Sequence, residues 1–413
     1  MSIRRAHTAL LCFVLASGCG GGGKDEKSGG GQVTISGTIP AAAARSGLAF
    51  SASEVKTVVA FSIDSGWWTA PVLNGAFGIQ VDPGQPIGLV FAGANDQLLG
   101  YLALPSGFVS IPLQAAADGM TAIDLGALSG ASGAAISPSH DPVGDELVLN
   151  APDRTGLLQA EGFFSTVVRN PDADSDGRLD VLEGRFFRPF ILYFVDGGTL
   201  SGTAGVPTHP ASITGYRFGL SVSDAAGSFP SSVTFSGPTG SGLVGAASDP
   251  SPNRNGDSAA YGSPYVQSPA VPPGGTYRIG YQGQVLTFDV PDQSAATQQV
   301  AVAVPTLTLN GDGTIHKLSW TYQLGGGNSA LDPRSLIHDL IVQIDGDGSG
   351  QACPANGGVQ ASQGSRVYNS PNLSPEVTEH VLACQNIGAA HVGGIYMAYN
   401  DVYGNHMVVT WRR

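Results

Sequence analysis

Apolar residues recur at every second position between glycine- and proline-rich turns, and that period of two is what most limits the folds open to this chain. Tyr277, Ile279 and Tyr281 share one face, Gly283 turns the chain, and Leu286, Phe288 and Val290 share the face of the returning strand. The pattern repeats in Leu318, Trp320 and Tyr322, in Leu340, Val342 and Ile344, and in Ile395, Met397 and Tyr399. A turn at residues 401–405 then leads into Met407, Val409 and Trp411. Near the start, strands are expected at residues 33–37 and 58–61, and Asn74-Gly75 is a hairpin signal. After it Phe77, Ile79 and Val81 share a face, and Pro83-Gly84 turns the chain into a strand at 87–91. With 59 Gly, 27 Pro and only 12% charged residues, an all-β chain with many turns is favoured over a helical cytosolic enzyme. The aromatic stripes read as core rather than as ligand platforms.

The expected architecture is about three β-sandwich domains, at 33–128, 186–297 and 298–413. Residues 129–150, small and polar, read as a linker, and residues 157–161 read as a short helix before the second sandwich. The first unit resembles the carboxypeptidase regulatory-like and transthyretin-like sandwiches. The ordering of the last unit resembles an immunoglobulin (Ig-like) or fibronectin type III domain, which implies two packed antiparallel sheets.

Within 129–185 stands the run Asp172-Ala173-Asp174-Ser175-Asp176-Gly177-Arg178-Leu179-Asp180-Val181-Leu182-Glu183. Calcium takes six to eight oxygens, and a twelve-residue loop supplies them from positions one, three, five, seven, nine and twelve. Those positions are Asp172, Asp174, Asp176, the Arg178 carbonyl, Asp180 and Glu183, with Gly177 at the sharp turn and Leu179 placed to pack inward. The segment resembles the lone EF-hand-like loops of dockerins and thrombospondin type 3 repeats, which implies a calcium cofactor over these dozen residues. One full loop and only four Met argue against a sensor that opens a Met-rich groove, so the loop reads as a structural clip between the first two sandwiches. Residues 310–313 and 345–348 lack the spaced acids and read as hairpin turns.

Arg4 and Arg5, an apolar run over residues 9–16 and then Ala16-Ser17-Gly18-Cys19 form a secretory signal, residues 1–18, ending in a candidate lipobox. It resembles a bacterial lipoprotein signal, which implies lipidation of Cys19 and a membrane anchor. Ala16 stands where such signals usually have Leu, and small residues there and at Gly18 also suit ordinary signal peptidase, so plain secretion stays open. Residues 19–32 are a glycine-rich tether. Gly20 after the cysteine resembles proteins sorted to the outer membrane, so the expected address is the outer membrane or the cell surface.

Losing residues 1–18 removes two bases and no acid, which takes the net charge from −13 to −15 and argues against nucleic acid as a partner. Cys12 leaves with the signal and Cys19 takes the lipid. Cys353 and Cys384 remain, and in an oxidising compartment two such thiols are expected to pair. Chemistry-bearing motifs are missing: the sequence has no Gly-x-Ser-x-Gly, no His-Glu-x-x-His and no phosphate loop. Gly256-Asp257-Ser258-Ala259 resembles the start of a GDSL esterase motif, but no Asp-x-x-His follows. The histidines at 209, 316, 338, 380, 391 and 406 are scattered, and His316 is expected as a satisfied, partly buried imidazole. Trp67 and Trp68 are adjacent on an expected strand, so their rings face opposite ways. One could stack on a sugar, or be buried between the first domain and its neighbour. These readings imply a non-catalytic calcium-binding envelope lipoprotein for adhesion, matrix attachment or assembly with another envelope protein. A carbohydrate-binding accessory protein using exposed aromatics is the alternative, with a calcium-dependent hydrolase behind it.

Overall fold

The computed structural model describes residues 32–41, 50–63, 66–116, 119–131, 133–147, 154, 157–158, 161–201, 206–207, 212–248, 253–293, 301–324, 333–346, 366–370, 373–382 and 387–412. The first nine strands are β1 (Val33–Thr38), β2 (Thr57–Ser62), β3 (Gly66–Pro71), β4 (Ala76–Val81), β5 (Pro86–Ala92), β6 (Leu98–Leu102), β7 (Ser110–Pro112), β8 (Ala122–Gly130) and β9 (Ala135–Pro138). Two short helices follow, α1 (Pro142–Asp145) and α2 (Gly162–Arg169). Then come β10 (Arg185–Ser201), β11 (Val206–Pro207), β12 (Ser212–Asp224), β13 (Thr234–Ser236), β14 (Ala246–Ala247), β15 (Asn253–Asn255), β16 (Ser258–Gly262), β17 (Gly275–Tyr281) and β18 (Gln284–Val290). The last are β19 (Ala301–Leu309), β20 (Ile315–Leu324), β21 (Ile337–Gly346), β22 (Arg366–Asn369), β23 (Glu379–Val381), β24 (Val392–Asp401) and β25 (His406–Arg412). The fold is all-β, as the periodicity predicts. Among the described residues no helix is long and apolar enough to cross a membrane.

β1 to β9 form one sheet in the order β3-β2-β5-β6-β9-β8-β1-β4, with β7 on β5. Phe77 of β4 meets Phe91 of β5 edge to face at 5.8 Å, so the two ends of this sheet face each other as a sandwich. The Asn74-Gly75 turn forms, with both residues at positive φ, but it closes only one bridge, Leu73 to Ala76. Its flanking strands pair elsewhere, β3 with β2 and β4 with β1. The expected linker at 129–150 is not structureless. β9 lies inside it and pairs with both β8 and β6, because Ile136 has a core position to fill and is 1% exposed.

The segments expected as a second and a third sandwich share one nine-stranded sheet, β15-β16-β12-β10-β25-β24-β21-β22, with β11 on β10. The joint is a parallel pairing of β10 with β25, Leu192 opposite His406 through Thr199 opposite Arg412. Residues 186–193 are buried without interruption, the mark of a strand covered on both faces, and such a strand accepts a neighbour on each side. Phe218 of β12 stacks on Tyr277 of β17 at 4.6 Å and meets Phe235 of β13 at 6.0 Å. The four-stranded sheet β14-β13-β17-β18 therefore covers the β10–β12 half of the face. The three-stranded sheet β19-β20-β23 adds Leu307, Leu318 and Trp320 to the same core.

The helix expected at 157–161 is found where it is described: residues 157 and 158 are helical and the Glu161 amide donates to the Leu157 carbonyl at 2.9 Å, directly ahead of α2. Phe164, Ser165, Thr166, Val167 and Val168 are buried all the way round it, as happens when a helix lies between two layers rather than on a surface. On one side Val168 nestles against Gly88 of β5, where an added Cβ would sit 2.7 Å from its Cγ2. Gly88 is thus what lets the helix dock. On the other side Asn170, which caps the end of α2, donates through Nδ2 to the Thr287 carbonyl of β18 at 2.7 Å.

Candidate metal site

Directly after α2 the chain enters the acidic loop. Ser175 and Gly177 take positive φ, 61° and 92°, which curls the backbone around its own carboxylates. Asp172 accepts from the amides of Asp176 at 3.1 Å and Gly177 at 2.9 Å, and Asp176 accepts from the Arg178 amide at 2.9 Å. Leu179 is fully buried, as its inward-packing slot predicts. A 3-10 turn over Asp180–Glu183 brings Glu183 back towards the loop and ends at Gly184 in the left-handed region, φ 81°. β10 starts at the next residue.

The six expected ligands fall into two overlapping sets. One oxygen from each of Asp172, Asp174 and Asp176 lies within 4.8 Å of the others, and the same holds for Asp174, Asp180 and Glu183. Two oxygens bound to one calcium at 2.3–2.6 Å can stand at most about 5 Å apart, so each set is compact enough to share an ion through Asp174. Asp180 is 3% exposed; its Oδ2 accepts from the Ala173 amide at 2.8 Å, but its Oδ1 is buried without a hydrogen-bond partner. The Asp174 side chain is fully buried and its Oδ1 also lacks a partner. Burial, helped by the nearby Asp174 and Asp172 carboxylates, pushes Asp180 up to about 8. Asp172 is raised too, chiefly by burial, against the pull of its two amide donors. A carboxyl held this way keeps a proton at neutral pH or meets a cation. The hard-oxygen donor set, with two orphaned buried oxygens, fits calcium.

The loop is tied on both sides. Arg178 forms an antiparallel bridge with Gln97 in the turn between β5 and β6, where Leu98 donates to the Gly177 carbonyl at 3.4 Å and Leu179 to the Asp96 carbonyl at 3.0 Å. Because the flanking groups point at that turn, strand alternation directs the Arg178 amide and carbonyl back into the loop, where position seven needs its carbonyl. On the far side the Thr287 amide of β18 donates to the Ala173 carbonyl at 3.3 Å. Sequence reasoning singled out the candidate ligands but missed these anchors and two arginines. Arg178 reaches Glu183 Oε1 at 2.7 Å and Asp96 at 2.9 Å; Arg185 reaches Asp174 Oδ2 at 3.3 Å and Glu183 Oε2 at 3.0 Å.

Around the loop the first sandwich meets the larger sheet through aromatic rings. Phe61 of β2 lies edge-on to Phe164 at 5.9 Å and Phe186 at 5.8 Å, and Trp67 meets Phe186 at 6.0 Å. Arg188 donates to the Ile63 carbonyl, and Gln114 to the Tyr403 hydroxyl at 2.8 Å. Trp67 is thereby half-buried between layers, while Trp68, paired across from Ala60, is half-buried on the opposite face of the edge strand β3.

The remaining sequence candidates do not come together. Cys19, Cys353 and Cys384 lie outside the described residues, as does His209. Ser258 is fully buried in β16, so the Gly-Asp-Ser run is a hairpin turn and no exposed nucleophile. His316 is half-buried as expected, but not satisfied: its Nδ1 is buried with no partner. His406 is paired with Asn400, which donates to Asp339 at 2.8 Å, and burial beside Arg188 holds its pKa down to about 3. It is a neutral core group. The residue that sequence reasoning overlooked is Glu161, 2% exposed, which accepts from the amides of Val109 at 3.1 Å and Ser110 at 2.7 Å. Burial pushes it up to about 7 against those donors.

No protein-family model matches the chain, and no curated protein matches it. Among solved structures, the yeast delta-COP-I mu-homology domain aligns at 8% identity over 55% of this chain and 95% of its own, with a TM-score of 0.20. A tetra-tandem repeat from the extending region of a large adhesion protein aligns at 10% identity over 92% of this chain and 74% of its own, with a TM-score of 0.14. Likeness at that level carries no argument about what this chain does.

Proposed function

We propose that this chain is a calcium-stabilised cell-envelope lipoprotein, exported and anchored through Cys19, in which the loop at 172–183 is a structural clip. Its β-sheets serve adhesion, matrix attachment or assembly with another envelope protein. The observation that carries the metal assignment is the pair of buried oxygens, Asp174 Oδ1 and Asp180 Oδ1, that meet no donor inside a ring of acids small enough to share one ion. Calcium supplies the positive charge that these carboxylates lack. The chain's own groups do the rest: Gly177 permits the curl, Leu179 anchors it, and the bonds to Asp96, Leu98 and Thr287 hand the loop's rigidity to the layers on either side. Modules outside the cell work at Kd of about 10⁻⁴ to 10⁻³ M, so weak affinity suffices.

Limited proteolysis of residues 32–413 in calcium and in EGTA tests the clip. New cleavage between residues 148 and 185 in EGTA, with the sheets intact, is the expected result. The same digestion pattern in both conditions contradicts it. Glycan binding is the second reading, and it falls to Trp68 because Trp67 is engaged with Phe186.

A further inference from the structure

We propose that Arg185 is a built-in competitor for the ion: its guanidinium bridges Asp174 Oδ2 and Glu183 Oε2 and must leave both before they can serve as ligands. The inference rests on the reading that the loop takes calcium. It stands on geometry. Arg185 is the first residue of β10, one step beyond the left-handed Gly184 that ends the loop, and that bend aims it back at the acids. It spans both ligand sets, since Asp174 belongs to each and Glu183 closes the second. The arrangement leaves Asp174 Oδ1 and Asp180 Oδ1 without partners, so a single charge on one side of the ring satisfies only part of it. A divalent ion shared by Asp174, Asp180 and Glu183, each of which offers one oxygen within 4.8 Å of the others, takes the place of the arginine.

Arg185 has another carboxylate to turn to. In the β10–β12 register it stands directly opposite Asp224, the last residue of β12, and side chains so paired lie about 5 Å apart at Cβ. Asp224 is 7% exposed and accepts from the Ala226 amide at 2.8 Å. In the calcium-bound protein Arg185 pairs with Asp224, which links loop occupancy to the edge where β10 and β12 begin and end. The second arginine plays a smaller part. Arg178 touches one ligand, Glu183, and its side chain is 46% exposed, where ion pairs are worth little.

Calcium titration calorimetry of wild type, Arg185→Gln, Arg185→Lys and Arg178→Gln tests the proposal. Removing the competitor frees two ligands and removes a like charge beside the ion, so Arg185→Gln binds calcium about tenfold more tightly. Arg185→Lys keeps the charge without the two-pronged fork and falls between, while Arg178→Gln changes Kd by less than about threefold. The sign is decisive, because an arginine that only braced the loop would weaken binding when removed. Wild type binding as tightly as Arg185→Gln, or more tightly, overturns the competitor. If neither wild type nor Arg185→Gln binds calcium, the metal assignment itself fails and the competitor fails with it.

Discussion

If aromatic packing across α2 joins the first sandwich to the larger sheet, Phe61 and Phe186 must be energetically coupled. Phe61 is 1% exposed and Phe186 4%, with ring centroids 5.8 Å apart at 72°. Truncating either ring to alanine leaves a cavity that its neighbours fill only in part, at a cost of about 3–5 kcal/mol. The edge-to-face contact contributes about 0.5–1.5 kcal/mol beyond burial, so the double variant should lose that much less than the two single losses added together. Urea denaturation followed by circular dichroism and tryptophan fluorescence measures the cycle, and Trp67, against Phe186, reports on the joint itself. Phe77 is the control: its ring meets Phe91 inside the first sandwich, so Phe77→Ala combined with Phe186→Ala should be additive. A Phe61–Phe186 cycle that is additive within about 0.3 kcal/mol would refute the joint.

Two further outcomes follow from the same structure. Glu161 is raised from 4.5 to about 7, so its folded form holds a proton that the unfolded chain gives up. The stability this provides is complete below pH 4.5 and is lost as pH rises through 7; relative to Glu161→Gln the wild type should therefore lose about 3 kcal/mol between pH 4 and pH 8. A constant difference between the two melting profiles across that range would contradict the buried carboxyl. Glycan-array binding, if present, should vanish in Trp68→Ala and survive in Trp67→Ala; loss in both variants or in neither removes the stacking reading of Trp68.

Local signals in the sequence were legible because they depend on neighbours only. The stripes at Tyr277, Ile279 and Tyr281 and at Leu286, Phe288 and Val290 became β17 and β18 with all six side chains buried. The turn at residues 401–405 became the β24–β25 hairpin, with Asp401 accepting from the Asn405 amide at 2.7 Å. Partners were not legible, since a period of two says which face a side chain takes and not which strand lies beside it. β10 and β25 pair across some two hundred residues, and the Asn74-Gly75 turn formed while its strands went to β2 and β1. The unbroken run at 186–193 did carry a sign of a central strand. The helix expected at 157–161 is present at residues 157 and 158, but its continuation as α2 was not legible, because Phe164 to Val168 are buried all round and show no polar face. The acidic loop was readable as a ligand pattern, but Arg185 lies beyond its last position, and its reach back to Asp174 depends on a bend at Gly184 that spacing does not reveal.

The central claim is that residues 172–183 hold an ion that stabilises the folded chain. Calorimetric titration of residues 32–413 with calcium, paired with thermal melts in 10 mM calcium and in EGTA and run beside Asp176→Ala, tests it most directly. At a Kd of about 10⁻⁴ M, that concentration stabilises the fold by about 2.7 kcal/mol. The account predicts one site and a higher Tm in calcium, both lost in Asp176→Ala. No heat and identical melts in calcium and EGTA would contradict it, leaving an acidic turn between two β layers.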